Sequence, residues 1–312
     1  MECGRTSSPE ELVDSWNGEC NVPLRAFSSE ELLKATNNFH PHNIIIEDAF
    51  YSIYRGSFEG CPVLVKKFGK EGSFWPHEDI NLYATHDMAI TSQFPTLVYE
   101  CETSIQVLSN GLYEMDRSSD KLTLAWESRL SIANDIASAL VHLHTTFSTP
   151  IVNRNLKPGN IIIDQNGVAK LVDFSLAIRI PPGESQVEDI VVGTYGFAEP
   201  EYVATGIVTV NTDVYAFGMI MLELLTGKRT VDANCGGSHL DNHVKIYANK
   251  DQLNKVVDAR MIGDGIGVDQ EQQFRAFVEL ALRCVEEKRE DKPEMKGVAD
   301  ELSRIQRSVD AN

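Results

Sequence analysis

Basic residues are the scarcer charge in this chain: 28 Lys and Arg stand against 46 Asp and Glu in 312 residues, a net charge of −18. That balance argues against nucleic acid and anionic membrane as partners, since both repel an acidic surface. Long apolar runs are lacking. None approaches the 18 residues of a membrane span, and the opening MECGRTSSPEEL has no apolar core, so neither a transmembrane segment nor a signal peptide is expected. Glu2 excludes N-myristoylation, while Cys3 reads as a palmitoylation site or an ordinary thiol. The six cysteines, at 3, 20, 61, 101, 235 and 284, form no C-x-x-C pair. Free thiols in a reducing compartment fit that scatter better than a metal site. Repeats and low-complexity linkers are absent, and no glycine occurs between Phe39 and Arg55.

What is present is apolar material for sizeable cores, 42% of the chain, in a length that suits one two-lobed domain. Residues 7–16 predict a short helix with Ser8 as N-cap, Pro9 at its first position and Glu11 closing a capping box. Its apolar face, Leu12, Val13 and Trp16, either packs on the protein's own lobe or docks a partner. Residues 27–39 repeat the device, with Ser28 and Glu31 as the box and Phe27 and Leu32 as the staple, and NNFHPHN over 37–43 then breaks the helix. Residues 44–67 are β-branched and aromatic and predict two or three antiparallel strands; 94–100 predict a buried strand. The stretch 71–93 is ambiguous, with a short helix at 77–86 as one reading. Helical periodicity then takes over at 124–147, 212–229, 270–288 and 294–309, interrupted by a hairpin over 160–174 around Asn166-Gly167. Strands first and helices later predict an α+β protein with a β-rich small lobe and a helical large lobe.

Ordered motifs sharpen this. IYRGSF, VLVKKF, LVYE, NRNLKPGNIIID, LVDFS, GTYGFAEPEY and TDVYAFGMIMLELLTGKR follow one another in the order of a protein-kinase domain. With FSSEELLKATNNF ahead of them, they resemble the plant receptor-like kinases and their cytoplasmic relatives over roughly residues 26–309. The resemblance implies an N-terminal extension over 1–25, a kinase-like small lobe over 26–103, shortened between Lys66 and LVYE, and a kinase-like large lobe over 104–312.

Chemistry has to be argued position by position. In an active kinase a glycine-rich loop covers the ATP phosphates, a strand lysine meets them, a loop Asp accepts the substrate proton, and an Asn and a second Asp hold magnesium. Here the three glycine positions hold Ile46, Asp48 and Tyr51, whose bulk, with the charges of Glu47 and Asp48, opposes a polyanion. Lys66 matches the phosphate lysine and reads either as a vestigial ATP contact or as a snorkelling strand residue. Glu78 and Asp79 are the candidates for its helix partner. The base position is Asn155, which can accept a hydrogen bond but takes up no proton near neutral pH. Arg154, Lys157, Asn160 and Asp173 match the pattern, so Asn160 and Asp173 are the magnesium candidates; Ser175 replaces the glycine of D-F-G. In the activation segment, Ala177 to Glu201, one of Glu184, Glu188 and Asp189 is expected to pair with Arg154 without modification, or else the loop is simply solvated. Glu201 resembles the structural Glu of A-P-E, with Lys292 as its expected partner, and Asp213 the Asp that braces the catalytic loop.

Three losses, in the glycine loop, the base and the D-F-G glycine, point to a pseudokinase. The resemblance implies a cytoplasmic adaptor, recruited to the plasma membrane through its partners. Those partners would be a nucleotide-binding leucine-rich-repeat immune receptor and receptor-like cytoplasmic kinases modified by a bacterial effector. Its expected surfaces are the face of Leu12, Val13 and Trp16 and the activation segment around Ser185 and Val187. No cofactor is required by this reading. The alternatives are a weak Ser/Thr kinase using ATP and magnesium, and a decoy that an effector modifies at Ser185, Thr194 or Tyr195.

Overall fold

The structure, a computed structural model, describes residues 29–47, 51–68, 88–90, 96–100, 106–113, 124–174, 176–230, 239–262, 265 and 267–310. The chain divides into two units, Met1–Ile105 and Gln106–Asn312.

The β-branched stretch of the first unit resolves into three strands, β1 (Ile44–Glu47), β2 (Tyr51–Phe58) and β3 (Cys61–Phe68), after the helix α1 (Ser29–Ala35). With β4 (Met88–Ile90) and β5 (Thr96–Glu100) they form an antiparallel sheet in the order β1-β2-β3-β5-β4. The β2–β3 turn is Glu59-Gly60, both at positive φ (51° and 89°), which matches the twist of the strands. On one face Leu32 of α1 packs with Tyr54, Phe58, Val63 and Val65. The helix ends at Ala35, just ahead of the expected break over 37–43. Asn37, Asn38 and Phe39 all take positive φ, and the Thr36 hydroxyl accepts the Phe39 N–H, an arrangement that competes with further helical turns. Ser28, Phe27 and residues 77–86 lie outside the described residues.

The second unit starts with β6 (Gln106–Val107), α2 (Leu108–Tyr113) and α3 (Trp126–Thr145). Then follow β7 (Ile151–Val152), β8 (Ile161–Ile163), β9 (Ala169–Leu171), β10 (Ile178–Arg179), β11 (Val187–Glu188), α4 (Pro200–Thr205) and β12 (Ile207–Val208). Five further helices complete the described part: α5 (Val210–Thr226), α6 (Leu240–Ala248), α7 (Ala259–Ile262), α8 (Val268–Cys284) and α9 (Met295–Asp310). Helix α5 is apolar all round because it is surrounded: every residue from Thr212 to Thr226 is buried. Gly218 allows α8 to approach it, since a Cβ there would meet Cys284 Cβ at 2.7 Å. Trp126 roots α3 on α8, donating from Nε1 to Gln273 Oε1 at 2.9 Å with its ring edge-on to Phe274 and Phe277. The β8–β9 turn is wider than a two-residue hairpin: Asp164 gathers the N–H groups of Asn166 and Val168, with Gly167 at φ 82°.

Candidate functional site: the degenerate catalytic loop

The loop between β7 and β8 hangs from α5. Thr209 caps that helix through a capping box, which fixes Asp213 in its first turn, fully buried. The Asp213 carboxylate accepts the backbone N–H of Asn153 at 2.8 Å and of Arg154 at 3.0 Å, and His144 Nε2 lies 3.0 Å away. Two successive N–H groups converge on one carboxylate because Arg154 takes the left-handed conformation, φ 62°. The bracing role expected of Asp213 is therefore seen in its contacts.

From this anchor Arg154 reaches the activation segment. Its Nε donates to the Leu176 carbonyl and its Nη1 to Asp189 Oδ2, both at 2.6 Å. Of the three acidic candidates it is Asp189 that pairs; Glu184 and Glu188 are exposed.

Asn155 sits in a polar cluster gathered around one carboxylate. Its Nδ2 donates to Asp173 Oδ2 at 2.8 Å, and its Oδ1 accepts the Thr194 hydroxyl at 2.8 Å. Asn160 Nδ2 donates to the same Asp173 oxygen at 3.1 Å and to the Asn155 carbonyl at 2.8 Å. Asn153, at the position of the kinase His, donates from Nδ2 to the Asp173 carbonyl at 2.6 Å and accepts the Asn155 N–H at 3.1 Å. All four residues are buried. The amide satisfies both sides of position 155, where an ionised carboxylate would have no proton to donate towards Asp173. At the base position itself nothing takes up a substrate proton: its one acceptor is an amide oxygen already occupied by Thr194. Nor do these residues, as placed, fit a magnesium ion. Asp173 Oδ2 receives two amide N–H donors, and Asn160 presents Nδ2 rather than its oxygen to that carboxylate, the reverse of what a shared cation needs. Among the described residues no group of three or more His, Cys, Asp and Glu side chains is arranged to hold a metal. Lys157 begins the turn Pro158–Asn160 and is half-buried.

In the first unit Lys66 pairs with Ile53 across β2 and β3 and is fully buried, so it does not snorkel. Its Nζ lies 3.7 Å from the ring centroid of Tyr51, the residue at the third glycine position. A cation–π contact thus stands where glycine backbone would approach phosphate. Ile46 pairs with Ile53 in β1, and Glu47 ends that strand exposed. Leu12, Val13, Trp16, Asp48, Glu78, Asp79 and Ser175 lie outside the described residues. Ser185 is exposed, whereas Val187 is half-buried in β11, paired with Val208.

One expectation needs correcting. Lys292 pairs with Glu199, not Glu201: Nζ to Oε1 is 2.9 Å, with both side chains at 0% exposure. Glu199 also meets Arg289 at 3.3 Å and accepts the Thr212 hydroxyl at 3.2 Å. Glu201 is left near the surface, 3.5 Å from Arg289 Nε. Pro200 opens α4 and turns the preceding residue inward, a consequence the motif alignment hides. Tyr202 was also missed; its hydroxyl donates to the Ile190 carbonyl at 2.9 Å and accepts the Val192 N–H at 2.8 Å. An aromatic with a polar tip two residues after a proline was the available signal. Burial pushes the Cys284 thiol up to about 12, so this cysteine is a core residue and not a nucleophile.

With this geometry in view, the comparisons with known proteins are informative. The sequence profile described as the protein kinase domain matches residues 81–301. The chain belongs to the protein-kinase family, with a small β-rich lobe and a helical large lobe. Within it, the chain falls in the receptor-like cytoplasmic kinase group. It is 36% identical to the non-functional pseudokinase ZED1 of Arabidopsis thaliana over 96% of this chain and 93% of that protein. It is 34% identical to the serine/threonine-protein kinase ZRK1 of the same plant, over 96% of this chain and 90% of that protein. The non-functional pseudokinase ZRK2 is 33% identical over 95% and 87%. Relatives named as kinase and as pseudokinase thus lie at nearly equal distance, and similarity alone does not decide activity. No helix among the described residues is long and apolar enough to cross a membrane.

Proposed function

We propose that this chain is a pseudokinase that works as a protein-binding adaptor in plant immunity, joining a nucleotide-binding leucine-rich-repeat receptor to receptor-like cytoplasmic kinases that a bacterial effector has modified. The observation that carries the inactive half of the reading is the amide of Asn155, which bonds Asp173 on one side and Thr194 on the other. A group in that setting takes up no proton near neutral pH, and its amide N–H occupies one of the two Asp173 oxygens. The relatives named as non-functional pseudokinases support it. For the adaptor half, the support is a kinase fold whose structural ties are intact, with Ser185, Ile190, Val191 and Tyr195 outward on an ordered activation segment. The Leu12, Val13 and Trp16 face is the second proposed surface. The protein acts in the cytoplasm and reaches the plasma membrane through its partners.

The test of inactivity is incorporation of radiolabelled phosphate from ATP with magnesium by the purified chain, beside Lys66→Met and Asp173→Ala. The reading expects none from any of the three; incorporation lost in both variants would establish a kinase instead. That weak-kinase reading is kept open by the name of ZRK1. A thermal melt with and without magnesium-ATP separates a third case, nucleotide as a structural ligand, which would raise the melting temperature. For the adaptor role, a pull-down from plant tissue with mass-spectrometric identification should return a receptor and kinases; an effector modification at the exposed Ser185 or Tyr195 would instead mark a decoy.

A further inference from the structure

We infer that the activation segment of this protein is held in its ordered form constitutively, by the Asp189 carboxylate acting where regulated kinases need a phosphate, so that its conformation is independent of phosphorylation. In regulated kinases a phosphorylated residue of the segment orders it by pairing with arginine. Here the arginine of the catalytic loop already has its anion. Arg154 Nη1 donates to Asp189 Oδ2 at 2.6 Å, with the guanidinium side chain 5% exposed and the carboxylate 32%. The pair is anchored at both ends. Arg154 is fixed by the Asp213–N–H bond and by its own bond to the Leu176 carbonyl. Asp189 follows β11, which pairs with β12, and its N–H donates to the Gly206 carbonyl at 2.9 Å.

Beyond Asp189 the segment is stitched down at three further points. The Tyr202 hydroxyl bridges Ile190 and Val192. Gly193 lies so close to the catalytic loop that a Cβ on it would stand 2.8 Å from the Arg154 carbonyl, and Thr194 closes on Asn155. The hydroxyls among these ties, those of Tyr202 and Thr194, make them in unmodified form. A dianionic phosphate on Ser185, four residues away, would meet an arginine already neutralised and a segment rich in carboxylates.

The experiment is hydrogen exchange read by mass spectrometry over residues 184–206 of the full chain, before and after phosphatase treatment, with intact mass confirming that no phosphate remains. Protection unchanged by phosphatase is expected, together with exchange about tenfold or more faster in Asp189→Ala and in Asp189→Asn. Asp189→Glu should keep protection closer to that of the native chain. Each variant is checked by its melt, and the partly exposed position 189 makes a folding failure distinguishable from local release. Loss of protection on phosphatase treatment overturns the proposal, as does an Asp189→Ala segment as protected as the native one. Neither outcome depends on whether the chain transfers phosphate.

Discussion

Two buried polar centres of the second unit are built on opposite principles. Around Glu199 the charges have been kept: Lys292 and Arg289 face one carboxylate, and Thr212 donates to it. Around Asp173 they are sparse: three asparagines bond a single carboxylate group and its backbone carbonyl, Asn160 as in an active kinase and Asn153 and Asn155 in place of His and Asp. The first centre ties α4 to the turn before α9 and asks only for geometry. The second occupies the positions where a kinase needs a base that takes up a proton and a carboxylate that holds a metal. Asn153 and Asn155 fill the His and Asp positions of that network with amides, which hydrogen-bond but take up no proton near neutral pH. The fold and the reaction make separable demands on buried polar groups: the first centre serves the fold, and the second departs from the kinase pattern at position 155. The first unit repeats the second pattern, since Tyr51 covers Lys66 where a glycine would stand.

The largest expected effect breaks the first centre. Glu199→Ala leaves Lys292 buried without its anion and should cost about 3–5 kcal/mol in a denaturant melt. Survival with little loss would mean that the ion cluster does not hold the helices. Next, Tyr51→Ala empties a buried aromatic site in the first unit and should cost about 3 kcal/mol. The same variant is expected to gain no shift with magnesium-ATP, since removing the ring does not restore the other glycines.

The third change makes one centre resemble the other. Asn155→Asp sets two carboxylates at hydrogen-bond distance and should destabilise by roughly 1–3 kcal/mol at neutral pH. Like-charge repulsion raises the folded-state pKa of the pair above its unfolded value. The variant therefore recovers as pH falls towards the carboxylate range and loses stability as pH rises, and a melt series from pH 5 to 8 reads the slope. No phosphoryl transfer should appear, because the base alone does not rebuild the metal site.

The smallest effect concerns Glu223, buried on α5 beside Tyr113 and accepting the Thr230 hydroxyl at 2.7 Å. Burial raises its pKa. Its folded form thus binds a proton more tightly than the unfolded chain, so its contribution is full below the ordinary glutamate range and is lost as pH rises. Glu223→Gln should match the native melt at low pH and gain on it with increasing pH. A constant offset at all pH values would show that Glu223 does not titrate in this range.

Much of this architecture was legible in the sequence, and the reason differs by element. The strands at 51–58 and 61–68 follow from β-branched and aromatic runs around a glycine turn, a local pattern. Helix α5 follows from an apolar run too long for a strand. The identity of the base position was readable because loop spacing between Arg154 and Asn160 is rigid. Less legible were the partners of charged groups. Glu184, Glu188 and Asp189 are equivalent on paper, yet only Asp189 sits where β11 leaves its pairing with β12 and can turn towards Arg154. Glu199 and Glu201 flank one proline, and which of them is buried depends on the direction in which α4 leaves the segment.

By itself, then, the sequence determined the order of elements, the kinase fold and the absence of a proton acceptor at position 155, because these depend on residue type and spacing along the chain. The tertiary structure alone decided that Asn155 clasps Asp173 and Thr194, that Asp189 neutralises Arg154 and that Glu199 receives Lys292. Those pairings join residues 18 to 93 positions apart, and only the packing of α4, α5 and the loops around them brings the groups within reach.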